Sequence, residues 1–285
     1  MEAYFKSEAG KKAILSLYDQ KLAELNIDYQ YKIVDTSFGK TNIITTGKPT
    51  NPPLIIVHGS NGCAPIGIES YPNLSQQYQV FAVDVLSQPN KSDGTRLSMK
   101  DDSYSKWINE VIDKLDLNEV VLAGFSLGGL IILKTLIHNG SKIKEAFLAA
   151  PAYIVNGNPL KALFKMFIPM KRYMRTKNPK LVEQVVGELF TDKDEFAIKY
   201  LSQVFLHFEM DFTPVPVMTK AEAAKIKTPI TLFAAKKDLM FPGEKMLKRA
   251  SKLLPTLKKI VLLENSKHVQ NRADNALIED LILKK

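Results

Sequence analysis

The sequence predicts an α/β fold in which a mostly parallel sheet is covered by helices. Short apolar runs typical of buried strands alternate with segments whose apolar residues recur at helical spacing. Eight strands are expected in all. A chain of 285 residues is long enough to bury one such core and to carry an insertion as well.

The expected elements begin with a helix over residues 9–25, where apolar side chains recur every three or four positions. Residues 29–36 and 41–46 alternate between polar and apolar and predict a hairpin. The other expected strands are 54–57, 80–83, 119–123, 144–150, 228–235 and 258–265, and the expected helices between and after them include 104–115, 129–138 and 273–282.

The alternation stops between residues 151 and 227, where helical segments occur without a convincing strand. We therefore expect a core made of residues 1–150 and 228–285, which includes an N-terminal helical region over 1–28. Residues 151–227 are expected to form a helical cap. The cap is rich in Leu, Phe and Met, which fits an adaptable apolar pocket but also fits ordinary helix packing.

The sequence Gly-Phe-Ser-Leu-Gly at residues 124–128 lies between an expected buried strand and an expected helix. A G-x-S-x-G motif in that position is typical of a nucleophile elbow, a sharp and strained turn that presents the serine. A serine that only caps a helix would need no partners. If Ser126 is a nucleophile, an acid and then a histidine should follow it in the chain.

Of the four histidines, His268 fits that order best, because it follows the last expected strand and precedes the last helix. His138 lies where a histidine meets the C-terminal end of a helix dipole. His207 lies in a Phe-rich segment and is expected to pack or to face solvent. His58 is expected to brace a loop.

The expected acid is Asp238, in the loop that follows strand 228–235. It would accept the Nδ1–H of the histidine and fix its tautomer. The alternative role for Asp238 is that of a turn-forming residue. Asp84 and Asp211 are its rivals, but Asp84 precedes Ser126 in the chain, where an acid more often ties loops together.

Acyl transfer also needs donors for a developing oxyanion. The backbone N–H of Leu127 is one candidate, and the Gly-rich loop after strand 54–57 supplies the other. Within that loop the N–H of Ser60 is preferred and that of Asn61 is second. Cys63 lies nearby, and a lone loop cysteine is more often a small, semi-buried residue than a reactive thiol.

These motifs together resemble the α/β-hydrolase superfamily, and most of all its bacterial carboxylesterase-like branch. The resemblance implies an α/β-hydrolase fold with a helical cap after the sixth strand and an ester, thioester or related acyl substrate. Two loops depart from the common pattern, since Lys267 precedes His268 where many members have glycine, and Ala235 begins the acid loop. The resemblance is carried by the loop at 54–62, Val83-Asp84, the elbow, Asp238, His268 and the hairpin turn at 38–41.

The expected activity is therefore a serine hydrolase that cleaves a small or medium carboxylic ester without a metal or an organic cofactor. One alternative is a C–C bond hydrolase of the same fold, in which Arg172 and Arg175 would hold the carboxylate of a diketone acid. The other is a member that binds a ligand without turnover.

The chain carries a formal charge of +9, and seven cations lie between residues 157 and 180 without an acid. A solvated surface explains this run most simply; acidic substrates or an anionic lipid surface are alternatives. No nucleic-acid motif accompanies the charge.

A single cysteine, the lack of a signal-like start and the lack of a long apolar run predict a cytoplasmic protein without integral membrane association. Whether it forms a homodimer stays open.

Overall fold

A computed structural model of the chain describes residues 4–284. Residues 1–3 and 285, which include the first and last residues of the predicted core, lie outside the described part. The strands are β1 (Tyr29–Thr36), β2 (Gly39–Thr46), β3 (Pro53–Val57), β4 (Gln79–Val83), β5 (Val120–Phe125), β6 (Ile143–Ala149), β7 (Ile230–Ala235) and β8 (Leu257–Leu263).

These strands form one sheet in the order β1-β2-β4-β3-β5-β6-β7-β8. β1 pairs with β2 and β2 with β4 in antiparallel fashion, whereas every pair from β4 to β8 is parallel. The mostly parallel eight-stranded sheet predicted from the sequence is therefore confirmed. The carboxyl ends of β3, β5, β7 and β8 open toward one edge of the sheet, which is where parallel sheets bind ligands.

Helices cover both faces of the sheet and fill the long connection between β6 and β7. They are α1 (Glu8–Glu24), α2 (Ala64–Ser70), α3 (Ser103–Lys114), α4 (Leu127–Asn139), α5 (Pro159–Ala162), α6 (Ile168–Thr176), α7 (Pro179–Leu189), α8 (Glu195–His207), α9 (Lys220–Ala223), α10 (Gly243–Leu253) and α11 (Arg272–Leu283), with a 3₁₀ turn at Leu74–Gln76 and a π-helical turn at Leu163–Phe167.

The central strands are buried on both sides, which explains their continuous apolar sequences. In β3, Ile55 and Val57 pack into one core cluster with α3, α4 and α10, whereas Leu54 and Ile56 pack into the opposite cluster. Successive side chains of a strand point to opposite faces, so both faces of this strand need apolar residues.

The segment of residues 151–227 between β6 and β7, hereafter the insertion, contains α5 to α9 and no β-strand in the described chain. Two isolated bridges connect it to the rest of the protein. Phe208 pairs with Phe5 near the N-terminus, and Phe190 pairs with Val269 in the loop after β8. Within residues 4–284, no helix combines the length and the apolar character that crossing a bilayer requires.

Candidate active site

Ser126 lies at the turn between β5 and α4, with φ 53° and ψ −113°. A non-glycine residue rarely adopts this backbone conformation, which is a strained one. The two glycines of the motif allow the tight packing around it. A Cβ atom on Gly124 would approach Ile132 Cδ1 to 2.5 Å, and one on Gly128 would approach the carbonyl oxygen of Val57 to 2.0 Å. The strained elbow predicted from the sequence is present.

The structure brings Ser126, His268 and Asp238 together, although they are far apart in the chain. Nε2 of His268 lies 3.0 Å from Oγ of Ser126, and Nδ1 lies 2.8 Å from Oδ2 of Asp238. A carboxylate accepts hydrogen bonds, so Nδ1 carries the proton and Nε2 is free to accept one from the serine. The arrangement can transfer a proton away from Ser126.

Both carboxylate oxygens of Asp238 are used. Oδ2 faces the imidazole, and Oδ1 accepts the backbone N–H groups of Met240 at 2.7 Å and Phe241 at 3.0 Å. Asp238 therefore also makes the turn that the sequence suggested as its alternative role. The two roles are compatible, because each uses a different oxygen.

Two aromatic rings flank the imidazole of His268. The ring centroid of Phe125 lies 5.0 Å from that of His268, and the centroid of Phe241 lies at 5.5 Å. They restrict the orientation of the imidazole and shield it from water. The sequence analysis did not assign a role to either ring, and only the position of Phe125 beside Ser126 could have suggested one.

The insertion holds the loop that carries His268. Oγ1 of Thr191 donates to the carbonyl of Val269 at 2.7 Å and accepts the N–H of Lys267 at 3.0 Å. The backbone adds two bonds, from Thr191 N–H to Val269 O at 3.0 Å and from Val269 N–H to Leu189 O at 2.9 Å. Thr191 thus binds the residues on both sides of His268, a role that sequence analysis missed.

The loop after β3 lies against the elbow. The backbone N–H groups of Ser60 and Leu127, the two predicted oxyanion donors, have no acceptor within residues 4–284. The N–H of Asn61, the second choice, donates instead to Oε1 of Gln88 at 2.7 Å. Of the two candidates in this loop, only Ser60 therefore keeps its backbone donor available.

His58 braces the same loop, as expected from the sequence. Its Nδ1–H donates to the carbonyl of Gly59 at 2.7 Å, and its Nε2 accepts the N–H of Val85 at 3.0 Å. Burial lowers the pKa of His58 from 6.5 to about 4, so the ring is neutral near pH 7. A histidine held on both nitrogens in this way cannot serve as the base.

Asp84, the first rival acid, ties several segments together beneath the site. Its Oδ2 accepts from Tyr18 Oη at 2.9 Å and from Asn42 Nδ2 at 2.8 Å, and its Oδ1 accepts from the N–H of Ala64 at 2.7 Å. Complete burial raises its pKa to about 6. Burial also raises the pKa of the nearby Cys63 thiol, which argues against a reactive role.

A cavity of about 580 Å³ lies above Ser126 and is lined from both sides. The core contributes residues such as Phe125 and Phe241, and the insertion contributes residues such as Met170, Phe190 and Phe205. Most of the lining is therefore apolar, as the Leu, Phe and Met content of the insertion suggested.

The charged residues that line the cavity are all acidic, namely Glu69, Asp194 and Asp211. Asp194 caps α8 by accepting the N–H of Ala197, and Asp211 accepts the N–H of Thr213. Among residues 4–284, no lysine or arginine lines the cavity. Asp211, the second rival acid, thus lies in the cavity wall without a hydrogen bond to a histidine.

The structure corrects one sequence-based suggestion. Arg172 and Arg175, proposed as holders of a substrate carboxylate, are both exposed on α6 and neither lines the cavity. The inward side of α6 carries Met170 and Tyr173 instead. The remaining histidines lie elsewhere: His138 is 3.4 Å from Asp102, and His207 ends α8.

No group of three or more histidine, cysteine, aspartate or glutamate side chains in the described part of the chain is arranged to hold a metal ion.

The sequence profile of the α/β hydrolase fold family matches residues 52–199, which is more than half of the chain. The chain belongs to this family. Its profile match includes the loop after β3, the elbow and the first part of the insertion. The resemblance to the α/β-hydrolase superfamily that the motifs indicated is therefore confirmed.

Relatives with known names agree with this assignment. Carboxylesterase YbfK of Bacillus subtilis is 26% identical over 267 residues, which cover 88% of this chain and 86% of that protein. The crystal structure of naproxen esterase from B. subtilis superposes with a TM-score of 0.84 and 22% identity over 98% of both chains. A structure of a meta-cleavage product hydrolase, CumD, superposes less closely, with a TM-score of 0.69 and 17% identity over 89% of this chain and 98% of that one. At identities of 22% and 17%, the similarity to these two structures shows a shared fold only.

Proposed function

We propose that this protein is a carboxylesterase that hydrolyses a small or medium neutral ester through an acyl-enzyme on Ser126. The observation that carries the proposal is the connected chain from Ser126 Oγ through His268 to Asp238, with distances of 3.0 and 2.8 Å. The similarity to carboxylesterase YbfK supports the ester as the substrate class.

In the first half of the reaction, Ser126 Oγ forms a bond to the carbonyl carbon while its proton passes to Nε2 of His268. The carbonyl π electrons move onto oxygen and give a tetrahedral oxyanion. Collapse of this intermediate restores the C=O bond and breaks the bond to the alcohol oxygen. That oxygen takes the proton from Nε2, and the alcohol leaves.

In the second half, a water molecule repeats the same steps. It attacks the acyl carbon and gives its proton to Nε2. When the second tetrahedral intermediate collapses, the bond from the acyl carbon to Oγ breaks and Oγ takes the proton from Nε2, which releases the carboxylic acid and free Ser126. Asp238 stabilises the imidazolium that forms in each half. The backbone N–H groups of Leu127 and Ser60 stabilise the oxyanion, a role supported by their lack of any other acceptor in the described chain.

The cavity supports the substrate class. Its volume of about 580 Å³ lies within the range of sites for small organic ligands, about 300–1,000 Å³. Its apolar lining favours uncharged acyl and alcohol groups. The insertion supplies much of that lining, so we propose that residues 151–227 act as a cap domain and that residues 1–150 and 228–285 form the catalytic core.

The same cavity disfavours the C–C bond hydrolase. That reaction would need a cation for the carboxylate of a diketone acid, whereas the charged groups of the lining are Glu69, Asp194 and Asp211. An acidic lining also favours release of the carboxylate product. The ligand-binding alternative is disfavoured by the serine–histidine geometry, which binding alone would not require.

The experiment is to compare turnover of p-nitrophenyl esters of increasing acyl length with turnover of a vinylogous diketone acid, using wild type and Ser126→Ala. We expect turnover of the neutral esters by wild type and almost none by the variant. Turnover of the diketone acid in preference to every ester would overturn the proposal, and so would equal ester turnover by Ser126→Ala.

A further inference from the structure

The first helical segment of the insertion comprises α5, the π-helical turn and α6, and one of its sides differs in character from the other. Ala162, Met166 and Met170 recur every four residues and line the cavity above Ser126. Residues spaced by four lie on one side of a helix. The opposite, exposed side is hereafter the outer face, and its residues are Leu160, Leu163, Phe164, Ile168, Arg172 and Arg175.

The outer face exposes large apolar side chains. Leu160 and Phe164 are each 64% exposed, and Leu163 is 40% exposed. Phe212 is not part of this face, because Phe212 and its ring partner Phe167, 5.8 Å away, both line the cavity. A cluster of exposed apolar side chains on one short segment is typical of an interaction site, whereas single exposed ones are ordinary.

Cations surround the apolar residues. Lys161, Lys171, Arg172 and Arg175 are exposed and have no acidic partner within residues 4–284. Of the cations in this segment, Lys165 does have one, since its Nζ lies 2.8 Å from Glu188. The outer face therefore presents apolar groups next to positive charges that remain available to an anionic partner.

We propose that the outer face docks on a membrane surface that contains anionic phospholipids. Such a surface accepts exposed Leu and Phe side chains at the acyl boundary and attracts Lys and Arg to its head groups. A second copy of this chain would fit less well, because two outer faces brought together would place like charges opposite each other. Docking of this kind is peripheral and needs no membrane-spanning helix.

Docking would bring the cavity close to the lipid. The helical segment is only one helix thick, and its inner side is the cavity wall formed by Ala162, Met166 and Met170. An apolar ester dissolved in the membrane would thus be held near the cavity. This consequence rests on the proposed function, but the docking itself does not.

Binding is tested separately from turnover, by co-sedimentation with vesicles of pure phosphatidylcholine and with vesicles of equal parts phosphatidylcholine and phosphatidylglycerol. We expect wild type to sediment with the anionic vesicles at low ionic strength, to be released by high salt, and to ignore the neutral vesicles. Because co-sedimentation measures binding and not hydrolysis, failure of the esterase proposal leaves this result unaffected.

Two variants test the face. Leu160→Asp with Phe164→Asp replaces its apolar part, and Arg172→Glu with Arg175→Glu reverses two of its charges. We expect each pair to weaken vesicle binding at least about 30-fold. Each basic residue near an anionic membrane contributes about fivefold, and a reversed charge is repelled as well. Burial of each large apolar side chain contributes about tenfold or more. None of these four residues lines the cavity, so turnover of a water-soluble ester should not change.

The controls make changes of the same kind away from the outer face, with one apolar substitution against two in the test variant and two charge reversals against two. Leu277→Asp replaces an exposed leucine on α11, and Lys248→Glu with Lys252→Glu reverses two exposed charges on α10. Binding within about threefold of wild type is expected for both controls. Equal weakening by controls and test variants would overturn the proposal, as would wild type that ignores anionic vesicles at low salt. A wild-type dimer that Phe164→Asp converts to a monomer would identify a second copy as the partner instead.

Discussion

The backbone of Gly128 lies directly against that of Val57, so that a Cβ atom on Gly128 would stand 2.0 Å from the carbonyl oxygen of Val57. This contact joins the start of α4 to the end of β3. It brings the elbow and the loop of Ser60 side by side, and so sets the position of Ser126 relative to the proposed oxyanion donors.

The contact predicts that Gly128→Ala is strongly destabilising. The added methyl group meets a buried backbone atom that cannot rotate away, so we expect a loss of about 3 kcal/mol or more, or failure to fold. Gly187→Ala in α7 is the matched control, because nothing lies within 4 Å of its added Cβ. The control should be neutral or stabilise by about 0.5–1 kcal/mol, as measured by denaturant unfolding. Equal stability of the two variants would contradict the structure.

Asp238→Asn should reduce kcat by about 10³- to 10⁴-fold with little change in stability. The amide oxygen can still accept the N–H groups of Met240 and Phe241, so the turn survives, but the amide no longer stabilises the imidazolium of His268. Steady-state kinetics and thermal unfolding measure the two effects. Asp211→Asn changes the rival acid in the cavity wall and should lower kcat by less than about tenfold; a loss larger than that of Asp238→Asn would mean that the acid has been misassigned.

Thr191→Val should lower kcat about tenfold while KM changes little, because the variant loses both Oγ1 bonds to the residues around His268. Thr191→Ser keeps the hydroxyl and should restore the rate. A structural role alone would reduce the melting temperature without this kinetic separation. The pH–rate profile of Thr191→Val provides a second readout, since a displaced imidazole changes its contact with Asp238.

His58 makes the free energy of unfolding depend on pH. Its folded pKa of about 4 lies below the unfolded value of 6.5, so the unfolded chain binds a proton first as the pH falls. The stability that neutral His58 contributes is present above pH 6.5 and is lost toward pH 4, by about 3 kcal/mol.

The comparison of wild type with His58→Asn isolates this effect. The raised pKa of Asp84 acts in the opposite direction between about pH 6 and pH 4, but it contributes to both proteins. Urea unfolding at several pH values should therefore give a difference between the two proteins that shrinks as the solution becomes more acidic. A difference that stays constant from pH 7 to pH 4 would show that His58 is not buried neutral.

The features that could be predicted from the sequence are those with a local signature. The eight strands have continuous apolar runs or alternation, and the elbow has its glycines between a strand and a helix. The order of Ser126, Asp238 and His268 then follows from the ends of successive strands. Each of these signals lies within a few neighbouring residues, so one sequence is enough to find it.

The features that were missed depend on contacts between distant parts of the chain. Thr191 meets Val269 across 78 positions, and Gln88 meets Asn61 across 27. Neither contact leaves a periodic pattern. The suggestion for Arg172 and Arg175 failed for a related reason, because composition gave the charge of α6 but not which of its sides faces the cavity.

The central claim is that His268 activates Ser126, and covalent labelling tests it most directly. The folded protein would be treated with a fluorophosphonate, and the adduct would be located by peptide mass spectrometry in wild type, Ser126→Ala and His268→Ala. We expect an adduct on Ser126 in wild type, none in Ser126→Ala, and a labelling rate lower by more than about 100-fold in His268→Ala. An adduct on another residue, or labelling of His268→Ala at the wild-type rate, would contradict the account.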